Sequence, residues 1–169
     1  SDKASGQRIE GSPVITDIAL FVSAEIKPTD KINIRPGVRF IKNSVYNAPP
    51  AIPSVNAKFN LSKQLDLRFA YAYGFRSPAL RELYFYYVDV NHNIVGNPDL
   101  KAENSNNFSA GLHWTTVPKN NITYNASLTA FYNVFNNQID FALASASSNQ
   151  YTYFNVNKAK TTGANFENR

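Results

Sequence analysis

The sequence predicts an all-β chain, an antiparallel meander of about seven long strands that forms part of a larger transmembrane β-barrel. Three observations carry that expectation. Apolar and polar residues alternate over stretches of about ten residues, the length a tilted strand needs to cross a bilayer. Connections alternate short and long, as at the two ends of such a barrel. Aromatic residues gather near the long-loop ends, where rings favour the membrane interface.

Taken in order, residues 1–14 are polar with Gly and Ser and read as a flexible N-terminal end, and residues 15–169 read as the partial barrel. The first strand runs from Ile15 to about Lys27, with Ile18, Leu20, Val22 and Ile26 on one face and Phe21, Ser23 and Glu25 on the other. Pro28-Thr29-Asp30 predicts a tight turn, because proline presets one backbone angle and Asp bonds its own backbone. In the second strand Ile32, Ile34, Val38 and Phe40 share a face, and Pro36, lacking a ladder donor, predicts a bulge or local irregularity. A proline-bearing connection, Lys42 to Pro53, leads to strand three, Val55 to Leu61.

Strand four, Leu65 to Phe75, alternates strictly: Leu65, Leu67, Phe69, Tyr71, Tyr73 and Phe75 oppose Asp66, Arg68, Ala70, Ala72 and Gly74. A long loop follows, with a short helical turn expected from Pro78 to Tyr84. Strand five carries Phe108, Ala110, Leu112 and Trp114, and strand six runs from Ile122 to Tyr132, continuing upward through residues 133–144. After a small-residue tip the chain returns as strand seven, Tyr151 to about Asn165.

Composition narrows the classes. Hydrophobic residues make up 43% and aromatics 14%, at a mean hydropathy of -0.35. No run reaches the roughly 18 apolar residues of a spanning helix, which excludes a helical membrane protein but not a barrel. Cysteine is absent, so disulfides and thiolate chemistry are excluded. The net charge is +5, yet Lys and Arg are scattered singly along strands and turns, which argues against nucleic acid as a partner. Residues 1–12 lack the apolar stretch of a signal peptide, so either a mature chain or an internal piece begins here.

An apolar face on such a meander packs on a core or faces lipid, and alternation alone does not choose. Strand length, alternating loops and the aromatic clusters favour lipid. An odd strand count is awkward for a complete barrel, so a segment of a larger one is expected. The competing reading is a soluble antiparallel sheet acting as a binding or adhesion module.

The long loop carries two boxes. Gly74-Phe75-Arg76-Ser77-Pro78 with Leu80-Arg81-Glu82-Leu83-Tyr84, and Gly96-Asn97-Pro98-Asp99-Leu100-Lys101-Ala102-Glu103, resemble the paired boxes of TonB-dependent outer-membrane receptors, and Tyr153 to Glu167 resembles a downward strand of that family. The resemblance covers residues 15 to 167. It implies a bacterial outer-membrane barrel of about 22 strands with an internal plug. Such receptors import scarce iron chelates, haem, cobalamin or glycans with energy relayed by TonB, and the cargo expected here is an iron chelate, a siderophore or haem. The implied partners are outer-membrane lipid, the chelate, and the TonB complex acting through a plug that these residues do not contain.

The resemblance also points to site residues. Haem receptors place a histidine between the two boxes, and His92 holds that position, where an imidazole can ligate haem iron, with Tyr84, Tyr86 and Tyr87 available to pack on the porphyrin or supply a phenolate. Ser77 stands where those receptors have alanine. In siderophore receptors His92 would instead hydrogen-bond within its loop. Arg76 and Arg81 either grip an anionic siderophore or pair with Glu82, Asp99 and Glu103. Phe75, Arg76, Pro78, Gly96, Asn97, Pro98, Asp99 and Leu100 are expected to shape the loop, Gly96 by permitting a sharp bend and Asn97-Pro98-Asp99 by forming a turn. No metal site or resident cofactor is expected beyond a transported haem. No nucleophile, base and orienter come together, so the expected work is transport without catalysis.

Overall fold

A computed structural model of the chain describes residues 2–3, 9, 13–116 and 123–169. Short strands β1 (Asp2–Lys3) and β2 (Val14–Ile15) pair with each other. The main sheet begins with β3 (Asp17–Ser23), β4 (Ile26–Thr29), β5 (Ile32–Asn43), β6 (Ile52–Asn60) and β7 (Leu65–Arg76). A one-turn helix α1 (Leu80–Tyr84) and the strands β8 (Tyr86–Val88) and β9 (Asn93–Val95) follow. The chain closes with β10 (Glu103–Thr115), β11 (Asn125–Leu143) and β12 (Tyr151–Asn168).

Neighbours along the sheet run β3-β5-β6-β7-β10-β11-β12-β9-β8, with β4 also on β5. Counting β3 and β4 as one interrupted strand, this is the expected meander, curled into a half-barrel. Its two faces differ throughout. Registers Val55↔Tyr71, Tyr71↔Phe108 and Phe108↔Tyr132 carry one apolar row across four strands. Nothing covers that face among the described residues: Phe69 and Phe108 are each 45% exposed and Leu128 is 51%. The chain does not bury these groups in a core of its own, as the barrel-wall expectation requires. The opposite face holds Arg35, Asn56, Lys58, Asp66, Arg68 and His113 around a concavity of about 490 Å3 and its edges.

The buried core lies elsewhere, at the long-loop end, where Ile15, Leu80, Leu83 and Leu100 pack together. Burying side chains of this size contributes about 1.5–3 kcal/mol each, so the loop is a small folded unit seated on the strand ends.

Several boundaries differ from expectation. Pro28 and Thr29 belong to β4, and the turn falls at Asp30-Lys31, because Thr29 still pairs with Ile32 across a register shift. Pro36 sits inside an unbroken β5, paired with Val55 of β6, and the irregularity appears on the neighbour at its other edge, between β3 and β4. There Ala24 and Glu25 fall between β3 and β4, with the Ala24 amide donating to the Pro36 carbonyl at 3.1 Å, since proline has no donor to return. β10 starts at Glu103, earlier than its apolar residues indicate, and β12 reaches Asn168. The start of strand six at Ile122 and most of the N-terminal end lie outside the described residues. Within that end Ile9 bridges Phe85.

Candidate external loop site

Arg76 and Glu103 close the two strands that bracket the loop, directly opposite each other. Their side chains form a two-toothed pair, with Nε and Nη2 of Arg76 donating to the Glu103 carboxylate at 2.7 and 2.8 Å. Nη1 donates to both Glu82 oxygens at 3.1 and 2.9 Å. Glu82 also accepts from the Ala79 amide at 2.7 Å, satisfying an N-terminal donor of α1. Glu103 accepts from the Ile139 amide at 2.5 Å. One guanidinium therefore joins β7, α1, β10 and, through Glu103, β11. Planar, forked donors suit this task, and two carboxylates only 17% and 21% exposed would repel without it.

The second box seals the other side. Gly96 donates to the Phe85 carbonyl at 2.6 Å and Asn97 to the Glu82 carbonyl at 2.8 Å. A Cβ at Gly96 would stand 2.6 Å from the Leu83 carbonyl oxygen and 2.8 Å from the Phe85 nitrogen, so two stretches of backbone pass too closely for any side chain. Asn97 caps its own turn by accepting from the Asp99 amide at 2.9 Å, and its Nδ2 donates to the Tyr153 carbonyl at 2.9 Å. Pro78, Leu83 and Leu100 are buried, and Phe75 is half-buried at the strand end.

Asn155 of β12 completes the seal. Its Oδ1 accepts from the Lys101 amide at 2.8 Å, and its Nδ2 donates to the carbonyls of Lys101 and Asn137 at 2.9 and 2.7 Å. Asn137 takes φ 53, a conformation asparagine tolerates better than most residues. Asn43, 8% exposed, does similar work next door, bonding Asp17 and accepting from the Val45 and Tyr46 amides. Sequence reasoning missed both asparagines. The pattern that signals them is an asparagine at a strand end or beside a loop, able to answer backbone groups left unpaired there.

Between the boxes β8 and β9 form a hairpin whose second strand lies parallel to the start of β12, Ile94 opposite Tyr151. The loop thus spans from β7 across to β12. At its tip the Asp89 carboxylate accepts from the Asn91 and His92 amides at 2.8 and 2.7 Å and contacts His92 Nδ1 at 3.0 Å. The Asn91 amide first, then the His92 ring and Tyr87, hold the Asp89 carboxyl down to about 2, against desolvation. The His92 ring stacks on Tyr87 with centroids 4.7 Å apart, and it is 49% exposed. Its Nδ1 is committed to Asp89, while Nε2 has no partner among the described residues. Carboxylate-backed imidazoles of this kind are suited to holding a ligand with the other nitrogen.

The remaining candidates divide. Arg76 is committed to the two carboxylates. Arg81 has no carboxylate partner among the described residues, and its guanidinium lies over the Phe85 ring at 4.8 Å. Asp99 forms no ion pair there either. Tyr84 packs against the loop core beside Tyr46, whose hydroxyl is pushed upward in pKa by burial, then by Tyr84 and Glu82. Tyr86 is 55% exposed. No group of three or more His, Cys, Asp or Glu that could hold a metal occurs among the described residues.

Comparison with known proteins places this geometry. A family model described as TonB dependent receptor-like, beta-barrel matches residues 3–169. An iron-regulated outer membrane virulence protein of Vibrio cholerae (El Tor) is 36% identical over 124 residues, 66% of this chain, and the chain spans only 18% of that relative's length. Among solved structures, the siderophore receptor PirA of Pseudomonas aeruginosa superposes with a TM-score of 0.76 at 22% identity, over 97% of this chain and 30% of that one. The ferric enterobactin receptor PfeA of the same organism gives 0.75 at 23%, covering 96% of this chain and 26% of that one. The haemophore receptor HasR of Serratia marcescens gives 0.80 at 13%, over 96% and 32% respectively. At these identities the structural matches show the shared fold.

Proposed function

The chain belongs to the TonB-dependent receptor β-barrel family of the bacterial outer membrane, and from that premise we propose that it is the wall and one external loop of an importer of ferric siderophores. The observation that carries the reading is the state of Arg81. The clasp consumes Arg76, while Arg81 stays exposed, unpaired with any carboxylate among the described residues, its guanidinium above the Phe85 ring. A cation beside aromatic surfaces suits an anionic, aromatic-bearing chelate. Relatives named for iron regulation and siderophore reception support the same assignment. Loop shaping falls to Phe75, Arg76, Pro78, Gly96, Asn97, Pro98, Asp99 and Leu100. Uptake would draw on the TonB complex through a plug, and the work is transport without bond chemistry.

A second reading, haem, is favoured by one observation, the Asp89-backed His92 stacked on Tyr87. Titrating the intact receptor with a ferric catecholate and, separately, with haemin tests both. Losing one charge-assisted contact in Arg81→Ala should weaken the catecholate about tenfold. Unchanged affinity would remove Arg81 from the site. A haemin Soret shift present in the wild type and lost in His92→Ala would instead select haem.

A further inference from the structure

The aromatic residues at the top of β11 and β12 lie on the opposite face from the outward row Tyr71-Phe108-Tyr132. From Tyr132 to Phe141 the strand climbs about 30 Å, and the odd offset turns Phe141 to the inner face. There Phe141 opposes Tyr153 and Leu143 opposes Tyr151. Tyr151 in turn lies beside Ile94, and Ile94 opposite Tyr87, so one row runs Leu143-Tyr151-Ile94-Tyr87 across β11, β12, β9 and β8. Half of the row comes from the wall and half from the long loop. With strands about 4.8 Å apart, it spans about 14 Å.

The rings of this surface touch in series. Phe141 stacks on Tyr151 with centroids 5.4 Å apart and planes 19° from parallel, and it meets Tyr153 at 4.9 Å. On the loop side His92 stacks on Tyr87 at 4.7 Å, and Phe85 meets Tyr87 edge-on at 6.3 Å with the Arg81 guanidinium over its own ring. Tyr153 packs against the buried loop core and anchors the series, whereas Phe141 and Tyr151 are each 41% exposed. Among the described residues, neither a core nor the outward face accounts for two large rings left open there. The backbone seam beneath them is short, Tyr151 with Ile94 and Thr152 with Val95. A row of rings with a cation at one end is complementary to a ligand that is both aromatic and anionic, and a span of about 14 Å admits more than one ring.

We propose that Phe141 and Tyr151 are ligand-contacting residues, and that the catechol rings of the imported chelate lie across the β9–β12 seam, stacked on this pair while Arg81 faces the chelate's negative charge. The assignment rests on the siderophore reading and adds two consequences to it. Discrimination for an aromatic chelate resides in the β11–β12 hairpin as well as in the long loop. The chelate also ties the loop to the wall, because it touches residues on both sides of a seam that is only weakly held by backbone pairing.

The test titrates the intact receptor in mild detergent with a ferric tris-catecholate and reads hydrogen exchange at residues 94–95 and 151–152 with and without it. Phe141→Leu/Tyr151→Leu keeps apolar bulk and removes two ring faces, so affinity should fall about tenfold. Phe141→Tyr/Tyr151→Phe keeps both faces and should bind as the wild type does. Binding should slow exchange at the seam in the wild type, and the Gly96 and Asn97 amides should exchange alike in all three unliganded proteins. Wild-type affinity in the leucine variant, or seam exchange unmoved by the catecholate, would overturn the site while an effect of Arg81→Ala still upheld the siderophore reading. An equal loss in the ring-preserving variant would overturn it too, by showing that stacking is not what was removed. No catecholate binding by the wild type would overturn both proposals, and haemin binding weakened by the leucine pair would then assign the rings to a porphyrin.

Discussion

Replacing Arg76 by alanine is the sharpest perturbation of the loop. The guanidinium makes four hydrogen bonds to Glu82 and Glu103, whose side chains are 17% and 21% exposed while its own is 45%. Breaking a fully buried ion pair costs about 3–5 kcal/mol. Half-exposure of the arginine lowers that, and about 2 kcal/mol of loop stability is the expected loss. Opening of the loop would then become about thirty times more frequent. Hydrogen exchange in the intact receptor reads this directly at the Gly96 and Asn97 amides, which donate to Phe85 and Glu82 inside the clasp. Arg81→Ala is the control, because that side chain lies over the Phe85 ring and pairs with no carboxylate of the clasp among the described residues. Exchange at Gly96 and Asn97 should accelerate about thirty-fold in Arg76→Ala and stay near wild type in Arg81→Ala. Unchanged exchange in the first variant, or equal acceleration in both, would refute the clasp.

Other consequences follow from the same geometry. Gly96→Ala forces backbone apart at Leu83 and Phe85 and should destabilise the loop by about 2 kcal/mol, seen as faster limited proteolysis within residues 77–102. Asn155→Ala deletes three hydrogen bonds and should cost about 2–3 kcal/mol locally, measured as loss of protection at the Lys101 amide. The Asp89 carboxyl is depressed from its ordinary 3.8 to about 2, so its contribution to the hairpin tip is fully present above 3.8 and is lost as pH falls through 2. In carbon NMR the side-chain carboxyl carbon of Asp89 should show its own titration step with a midpoint near 2, and a midpoint at the ordinary 3.8 or above would contradict the pairing.

Much of the wall is legible in the sequence, for a physical reason. Each strand of β5, β6, β7 and β10 separates two unlike environments, so its side chains must alternate, and Leu65 to Arg76 is observed within one residue of its expected span. The loop is less legible. Tyr86-Tyr87-Val88 and Asn93-Ile94-Val95 flank a turn at Asp89 to His92, a hairpin pattern, yet the segments are short and their partner is the distant start of β12. Pairing of that kind depends on chain path and leaves no periodic mark. The same limit hides Asn155, which looks like any polar strand residue until Lys101 is brought beside it. Pro36 teaches a third point: a missing donor need not distort its own strand when the partner can break at Ala24.

The most direct test of the importer assignment is uptake of radioactive iron by cells that carry the intact receptor and lack their other iron receptors. Ferric catecholate should accumulate in these cells, fail to accumulate when TonB is removed, and fall when residues 77–102 are replaced by a short flexible linker in a barrel that still folds. Accumulation that persists without TonB, or no accumulation of any ferric chelate or haem by the folded receptor, would contradict it.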